Sequence, residues 1–210
     1  MKQIFFVTGT DTDCGKTFVA CKLLHAANRA GKKTLGLKPL ASGAALVGGE
    51  LRNSDALLLQ QASTVSLPYA QTNPFCFADA IAPHLAAAKT GFLLSATGIA
   101  NRVQAILDST DVDYAIIEGA GGWRTPLNET ETLADVVRLL QIPVILVVNM
   151  KLGCLNHALL TAEAIRHDGL QLHGWLANDM AGNSKSAAMP MLQENIATLE
   201  QMLESPRLEC

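Results

Sequence analysis

Nine residues near the start of the chain, Gly9-Thr10-Asp11-Thr12-Asp13-Cys14-Gly15-Lys16-Thr17, constrain its fold more than any others. They follow the apolar run Ile4-Phe5-Phe6-Val7 and precede a segment of helical periodicity. A glycine-rich turn between strand and helix is the layout of a phosphate-binding loop. Its backbone N–H groups and the first helical turn cradle phosphate oxygens, a lysine adds a point charge, and the next hydroxyl ligates Mg²⁺. Lys16 and Thr17 stand where those last two groups are needed. Five residues, Thr10 to Cys14, separate the glycines, where the usual spacing has four. The bare motif is a weak signal. Its setting between strand and helix makes nucleotide binding the expected function.

Further apolar runs of strand length lie at 34–37, 114–117, 144–148 and 172–177. Most are unbroken hydrophobic stretches, as strands buried on both faces of a parallel sheet require. Between them run helical patterns. Residues 18–30 end at Gly31, a good C-cap, and Asn53-Ser54-Asp55 opens 56–61. Residues 95–107 carry Ser95 as N-cap, 132–140 run toward Pro143, and 156–167 stop before Gly169. This alternation predicts an α/β fold: a doubly wound, mainly parallel sheet with helices on both faces, of the P-loop NTPase type. Stretches 40–51 and 66–83, punctuated by glycines and prolines, read as long loops of functional or mobile character. With no linker and no internal repeat, residues 1–210 are expected to form one domain.

Composition narrows the partners. Hydrophobic residues at 49% and charged residues at 17% exclude a disordered chain. A formal net charge of −3 offers no basic footprint for nucleic acid or a membrane surface. Small molecules or a second copy of the chain are the expected partners. The five cysteines are odd in number and match neither a C-x-x-C nor a zinc pattern, so reduced thiols are expected. Met1-Lys2-Gln3 enters a strand directly without a signal peptide, and no apolar run is long enough to span a bilayer. A cytoplasmic address follows.

Ligands of such sheets bind outside the carboxyl ends of the strands. Four features fall there: the phosphate loop, Lys38-Pro39-Leu40-Ala41-Ser42, Glu118-Gly119-Ala120-Gly121-Gly122 and Asn178-Asp179. Glu118 ends an apolar strand, where a carboxylate either anchors Mg²⁺ or is simply solvated. The glycines after it favour close approach of a ligand. Lys38 is either a surface lysine or a second fixed cation beside Lys16, suited to charge building on an acyl or phosphoryl group. Asp55, at a helix start, reads on its own as a capping or first-turn acid. Asp11 and Asp13 would repel a polyphosphate unless they met Mg²⁺ or an amine, which fits a loop contacted by two ligands. The Asn178 amide can pair with a purine edge, and Asn-Asp-Met in place of Asn-Lys-x-Asp favours adenine over guanine. Lys151-Leu152-Gly153-Cys154-Leu155-Asn156-His157 is either an anion site at a helix start or an ordinary turn with an asparagine N-cap. The five histidines show no metal-ligand spacing.

Taken in order, these segments resemble the dethiobiotin synthetase family. The pieces that carry the resemblance are the loop from Val7 to Thr17, Lys38-Pro39-Leu40-Ala41-Ser42-Gly43, Arg52-Asn53-Ser54-Asp55-Ala56 and Asn73-Pro74. Glu118-Gly119-Ala120-Gly121-Gly122-Trp123, the Lys151–His157 turn and Gly174-Trp175-Leu176-Ala177-Asn178 complete the set. The resemblance implies a Mg²⁺- and ATP-dependent ligase of biotin biosynthesis. It joins CO₂ (or bicarbonate) to 7,8-diaminononanoate and closes a ureido ring, through a carbamate and a carbamic-phosphoric anhydride. It further implies ATP contacts at Asp13, Cys14, Gly15, Lys16, Thr17, Phe18, Asp55, Glu118, Gly119, Ala120, Gly121, Asn178 and Asp179. Thr17, Asp55 and Glu118 would hold Mg²⁺. Lys16, Lys38 and Ser42 would act on the carbamate, with Thr12 beside them. Gly153, Cys154, Leu155 and Asn156 would bind the substrate carboxylate from the neighbouring subunit of a homodimer.

Two departures stand out. The family loop usually has glutamate where this chain has Asp13, one methylene shorter. Family members also continue past the last helix with a Leu-Gly-x-Ile-Pro-type segment that touches base and ribose, whereas this chain ends Ser205-Pro206-Arg207-Leu208-Glu209-Cys210. Either the C-terminus is truncated or the base site is built differently. Two other functions compete. A cobyric-acid-type amide ligase of the same superfamily normally carries a glutaminase domain, for which 210 residues leave no room. A partitioning-type switch ATPase typically has a second lysine early in the loop, and only Lys16 is present there.

Overall fold

Strands that are apolar on both sides must bury both sides, and the computed structural model shows how this chain does so. It describes residues 2–179 and 189–209. Strand β1 (Gln3–Gly9) leads through the glycine loop into α1 (Lys16–Arg29), followed by β2 (Thr34–Leu37) and β3 (Leu40–Ala41). A hairpin of β4 (Ala45–Val47) and β5 (Glu50–Arg52) precedes α2 (Ser54–Ala62), the short α3 (Tyr69–Thr72) and β6 (Phe75–Cys76). Then come α4 (Pro83–Lys89), α5 (Ala96–Ser109), β7 (Tyr114–Glu118), α6 (Leu133–Leu140) and β8 (Val144–Asn149). The chain closes with α7 (Cys154–His167), β9 (Leu172–Asn178) and α8 (Leu192–Met202).

The main sheet has five parallel strands in the order β2-β7-β1-β8-β9. Alternation along each strand divides the core into two layers. Phe5, Val7, Ile116, Ile145, Val147 and Leu176 pack with Val19, Ala20 and Leu24 of α1 and Leu59 of α2. Phe6, Ile117, Leu146 and Val148 point the other way, into a larger layer with residues of α5, α6, α7 and α8. Each fully buried aliphatic or aromatic side chain contributes about 1.5–3 kcal/mol, so this double burial is the main source of stability. Parallel strands also place all their carboxyl ends along one edge. That edge gathers the loop after β1, Lys38 after β2, Glu118 of β7, Lys151 after β8 and Asn178 of β9.

Strand β9 lies at the border of this sheet. There the Trp175 N–H donates to the Pro206 carbonyl at 3.1 Å, and the Leu208 N–H donates to the Trp175 carbonyl at 2.8 Å. The C-terminal segment thereby pairs backbone groups that an open edge would leave exposed. Among the described residues no helix is long and apolar enough to cross a membrane.

Three local expectations need correction. Stretches 40–51 and 66–83 are not structureless: they hold the parallel pair β3–β6, the hairpin β4–β5 and helix α3. Two- and three-residue strands are too short to leave a periodic signal, and β3 finds its partner only through the fold. Helix α7 begins at Cys154, with Gly153 at φ 94° as its N-cap, so Asn156 lies inside the first turn and is not the cap. Helices α4 and α8 were not anticipated from the pattern of the chain.

Candidate active site

The phosphate loop closes because two glycines do what other residues cannot. Gly15 takes φ 87° as the N-cap of α1, a left-handed conformation that costs glycine nothing. At Gly9, an added Cβ would stand 2.0 Å from Cys14 Sγ, so the loop folds directly over a missing side chain. Lys16 crosses the loop and donates to the Asp11 carbonyl at 2.9 Å. No acid occupies the first turn of α1, which leaves its partial positive charge to an incoming anion. From behind, Asn178 Nδ2 donates to the Cys14 carbonyl at 2.9 Å. Lys151 pairs with Asp11 at 3.1 Å, and this contact holds the Asp11 carboxyl below the usual range against the opposing effect of burial.

Lys38 lies opposite, only 5% exposed. Its ammonium is 2.6 Å from Glu118 Oε1 and 3.0 Å from Asp55 Oδ2, and it donates to the Gly119 carbonyl at 3.3 Å. Burial penalises its charge, but Glu118 and Asp55 outweigh that penalty and hold its pKa above the ordinary lysine value. Removing Lys38 would strand the buried Glu118 carboxylate, a loss of about 3–5 kcal/mol for a broken buried pair. Thr17 Oγ1 donates to the same Glu118 Oε1 at 2.9 Å, while Glu118 Oε2 is buried without a hydrogen-bond partner.

Around these groups opens a cleft of about 1180 Å³. Thr12, Asp13, Gly15, Lys16, Thr17 and Phe18 line it on the loop side. Lys38, Ser42, Asp55, Glu118, Ala120 and Gly121 line it on the facing side. The other expected residues sit elsewhere. Cys14 and Gly119 are buried behind the cleft, and Gly119 donates its N–H to the Val7 carbonyl at 2.9 Å. Asn178 is buried under the loop, followed by half-buried Asp179. At the start of α7, Gly153 and Asn156 are exposed, Leu155 is half-buried and Cys154 is buried, and none of the four lines this cleft.

The cleft also uses residues that sequence reasoning passed over. Cys21, Leu58 and the segment Ala80-Ile81-Ala82-Pro83 form a more apolar wall. Pro83 was visible only as loop punctuation, and nothing in the pattern of the chain marked the others. Asn73, quoted without a role, is buried and donates Nδ2 to the Lys38 carbonyl at 2.6 Å.

Comparison with known proteins fits this geometry to a family. A family model described as an AAA domain matches residues 3–210. The ATP-dependent dethiobiotin synthetase of Cellvibrio japonicus is 53% identical over 207 residues, 99% of this chain and 88% of that protein. The Escherichia coli K12 protein of the same description, numbered 1 there, is 47% identical over 208 residues, 99% of this chain and 89% of its own.

The chain belongs to the dethiobiotin synthetase family.

Its fold reaches further. The septum site-determining protein MinD of Pyrococcus horikoshii, solved with Mg-ADP, superposes with a TM-score of 0.59 at 16% identity, covering 99% of this chain and 79% of that one. The cell division protein FtsY of Thermotoga maritima gives 0.55 at 17%, covering 99% and 60%. At such identities the likeness is one of fold alone. For this member of the dethiobiotin synthetase family, the oxygen donors at the rim of the phosphate loop suit Mg²⁺. Thr17 Oγ1, Asp55 Oδ2 and both Glu118 oxygens are hard oxygen donors, and Glu118 Oε2 is buried with its bonding capacity unused.

Proposed function

We propose that the protein is an ATP-dependent ligase that carboxylates 7,8-diaminononanoate and closes it to dethiobiotin, releasing ADP and phosphate. One observation carries this reading: a buried lysine, Lys38, faces the phosphate-loop lysine across a single cleft and is gripped by two carboxylates. The loop itself holds one lysine, Lys16, without the second early lysine typical of a partitioning-type switch. Joining a carbamate to a phosphoryl group needs a second cation, because two anions must be brought together.

In this reading one amine of the substrate attacks CO₂, forming a C–N bond and losing a proton. A carbamate oxygen then attacks the γ-phosphorus of ATP, and the bond to the β-phosphate bridging oxygen breaks. The second amine attacks the carbonyl carbon of the mixed anhydride and gives up a proton, the bond from that carbon to the phosphate oxygen breaks, and the ring closes as phosphate leaves. Lys16 neutralises phosphate and carbamate oxygens together. Lys38 and Ser42 orient the carbamate, with Thr12 and Asp13 near the amines. Thr17, Asp55 and Glu118 would hold Mg²⁺, which would draw negative charge off the ATP phosphates. Asp13 to Phe18, Gly119, Ala120 and Gly121 surround the phosphates, and Asn178 with Asp179 meets adenine.

The segment Gly153-Cys154-Leu155-Asn156 at the start of α7 serves the neighbouring subunit of a homodimer, where it takes the substrate carboxylate. None of the four residues lines this protomer's cleft, which supports that assignment. Residues 1–210 act as one nucleotide-binding domain, in the cytoplasm where ATP and Mg²⁺ are supplied.

The test is mass spectrometry of a reaction holding the protein, 7,8-diaminononanoate, ATP, Mg²⁺ and bicarbonate. Dethiobiotin with a matching amount of phosphate is the expected result. ATP hydrolysis that ignores both diamine and bicarbonate would instead mark a switch ATPase.

A further inference from the structure

The Tyr69 hydroxyl occupies an unusual position: it joins the two backbone segments that deliver Lys38 and Asp55. It accepts from the Asn53 N–H at 2.7 Å and donates to Asn73 Oδ1 at 2.9 Å. Asn53 is the N-cap of α2, and its Oδ1 accepts from the N–H groups of Asp55 at 3.1 Å and Ala56 at 3.2 Å. Fixing Asn53 therefore fixes where the helix starts and where the Asp55 carboxylate stands. On the other side, Asn73 Nδ2 donates to the Lys38 carbonyl at 2.6 Å, and the Lys38 N–H donates to the Thr72 carbonyl at 2.9 Å.

We propose that Tyr69 is a positioning residue of the active site, holding Lys38 and Asp55 in mutual register through one phenolic oxygen. Its reach ends at two charged side chains that meet at 3.0 Å.

The directions of the bonds to Asn53 and Asn73 follow from chemistry, with Cys76 Sγ, 3.9 Å from the hydroxyl, as a weaker third partner. The Asn53 N–H can only donate, so it takes a lone pair of the phenol. The single phenolic proton is left for Asn73. Asn73 must present Oδ1 to it, because its amide group is engaged by the Lys38 carbonyl. Phenylalanine cannot close this circuit. Asn53 and Asn73 are 6% and 2% exposed, so water has little access to replace the lost hydroxyl. Burial pushes the Tyr69 pKa up to about 12, and this keeps the donor proton in place across the working pH range. The Arg52 guanidinium, 4.1 Å from the ring centroid, fixes the ring itself and would remain in the phenylalanine variant.

The inference rests on the ligase reading for its kinetics but not for its geometry, and the experiment separates the two. Tyr69→Phe and Asp55→Asn are compared singly and together, with a crystal structure of Tyr69→Phe. If the wild-type protein forms dethiobiotin, Tyr69→Phe is expected to lower kcat about tenfold while ATP affinity stays within about twofold, because the phosphate loop is untouched. In the Asp55→Asn background the same change is expected to add little, since it acts through that carboxylate. Asn73→Asp, which keeps the acceptor and loses the donor to Lys38, is expected to reproduce the kcat loss. It serves as the second variant should Tyr69→Phe fold poorly. A kcat within about twofold of wild type, or full additivity with Asp55→Asn, would overturn the proposal. Should the wild type form no dethiobiotin, the ligase reading fails and the crystal structure decides this one. Opening of the Lys38–Asp55 pair beyond about 4 Å supports it, and an unchanged pair overturns it.

Discussion

The Asn178 side chain donates to the Cys14 carbonyl at 2.9 Å, joining the end of β9 to the phosphate loop across 164 residues. Both partners are buried. A residue expected to read adenine therefore also holds the loop that receives the phosphates. Asn178→Ala should weaken the loop and base recognition together. The hydrogen bond to a buried carbonyl is worth about 1 kcal/mol, and leaving that carbonyl unpaired costs about 1–3 kcal/mol. The expected outcome is a lower midpoint in urea and ATP binding weakened by about tenfold, the latter read by calorimetry. A stability unchanged from wild type would show that the contact does not hold the loop.

Lys38→Ala should separate binding from chemistry. Lys16 and the loop N–H groups do not touch Lys38, so ATP should still bind. Turnover should fall at least about a hundredfold, the usual scale for removing one group that stabilises developing charge. A rate within about twofold of wild type, under half a kcal/mol, would refute the role assigned to Lys38. Melting curves must accompany the assay, because the variant also strands Glu118.

Gly9→Ala should prevent the loop from closing. The new methyl would sit 2.0 Å from Cys14 Sγ and 3.2 Å from the Asp11 carbonyl. Overpacking on this scale costs about 1–3 kcal/mol, and nucleotide binding should be lost with it. Adding Cys14→Ala removes the worst contact and should restore part of the stability. Guanidinium titrations of the single and double variants test this, and no recovery would mean that the backbone contact dominates.

Alkaline pH should erode stability in a window set partly by Cys21. Its thiol is pushed from 9.0 up to about 11, first by burial, then by the negative charges of Glu118 and Asp55. The fold thus favours the protonated thiol. A group whose pKa is raised on folding contributes stability fully below its unfolded value and loses it as pH rises through the folded value. The stabilising contribution should fade between 9.0 and about 11. Cys21→Ser should flatten that part of the stability-against-pH curve, and iodoacetamide should modify Cys21 far more slowly near pH 8 than it modifies the unfolded chain. Rapid alkylation of the folded protein would contradict the burial argument.

Much of this molecule was legible in one dimension. The five apolar runs became the five parallel strands because a strand buried on both faces leaves an unmistakable unbroken signature. The phosphate loop was readable because its glycines, lysine and threonine are contiguous, and Asn53 and Ser95 cap their helices as their side-chain chemistry demands. Glycine as the cap of α7 was misread because an asparagine stood nearby with the same propensity.

Tertiary structure alone decided the strand order, the parallel pairing of β3 with β6, and which side chains meet. Lys38 was ambiguous as a letter in a string, since a lysine after a strand is most often solvated. Its meaning comes from Glu118, 80 residues away, and from Asp55, which reads locally as a first-turn acid. Asn73 and Tyr69 gained their roles in the same way, from the segments they touch rather than from their neighbours in sequence. Local order in a chain is governed by spacing and backbone preference, both of which the sequence displays directly. The pairing of charges and the satisfaction of buried polar groups are governed by distances through space, and those exist only once the sheet has brought its carboxyl ends together.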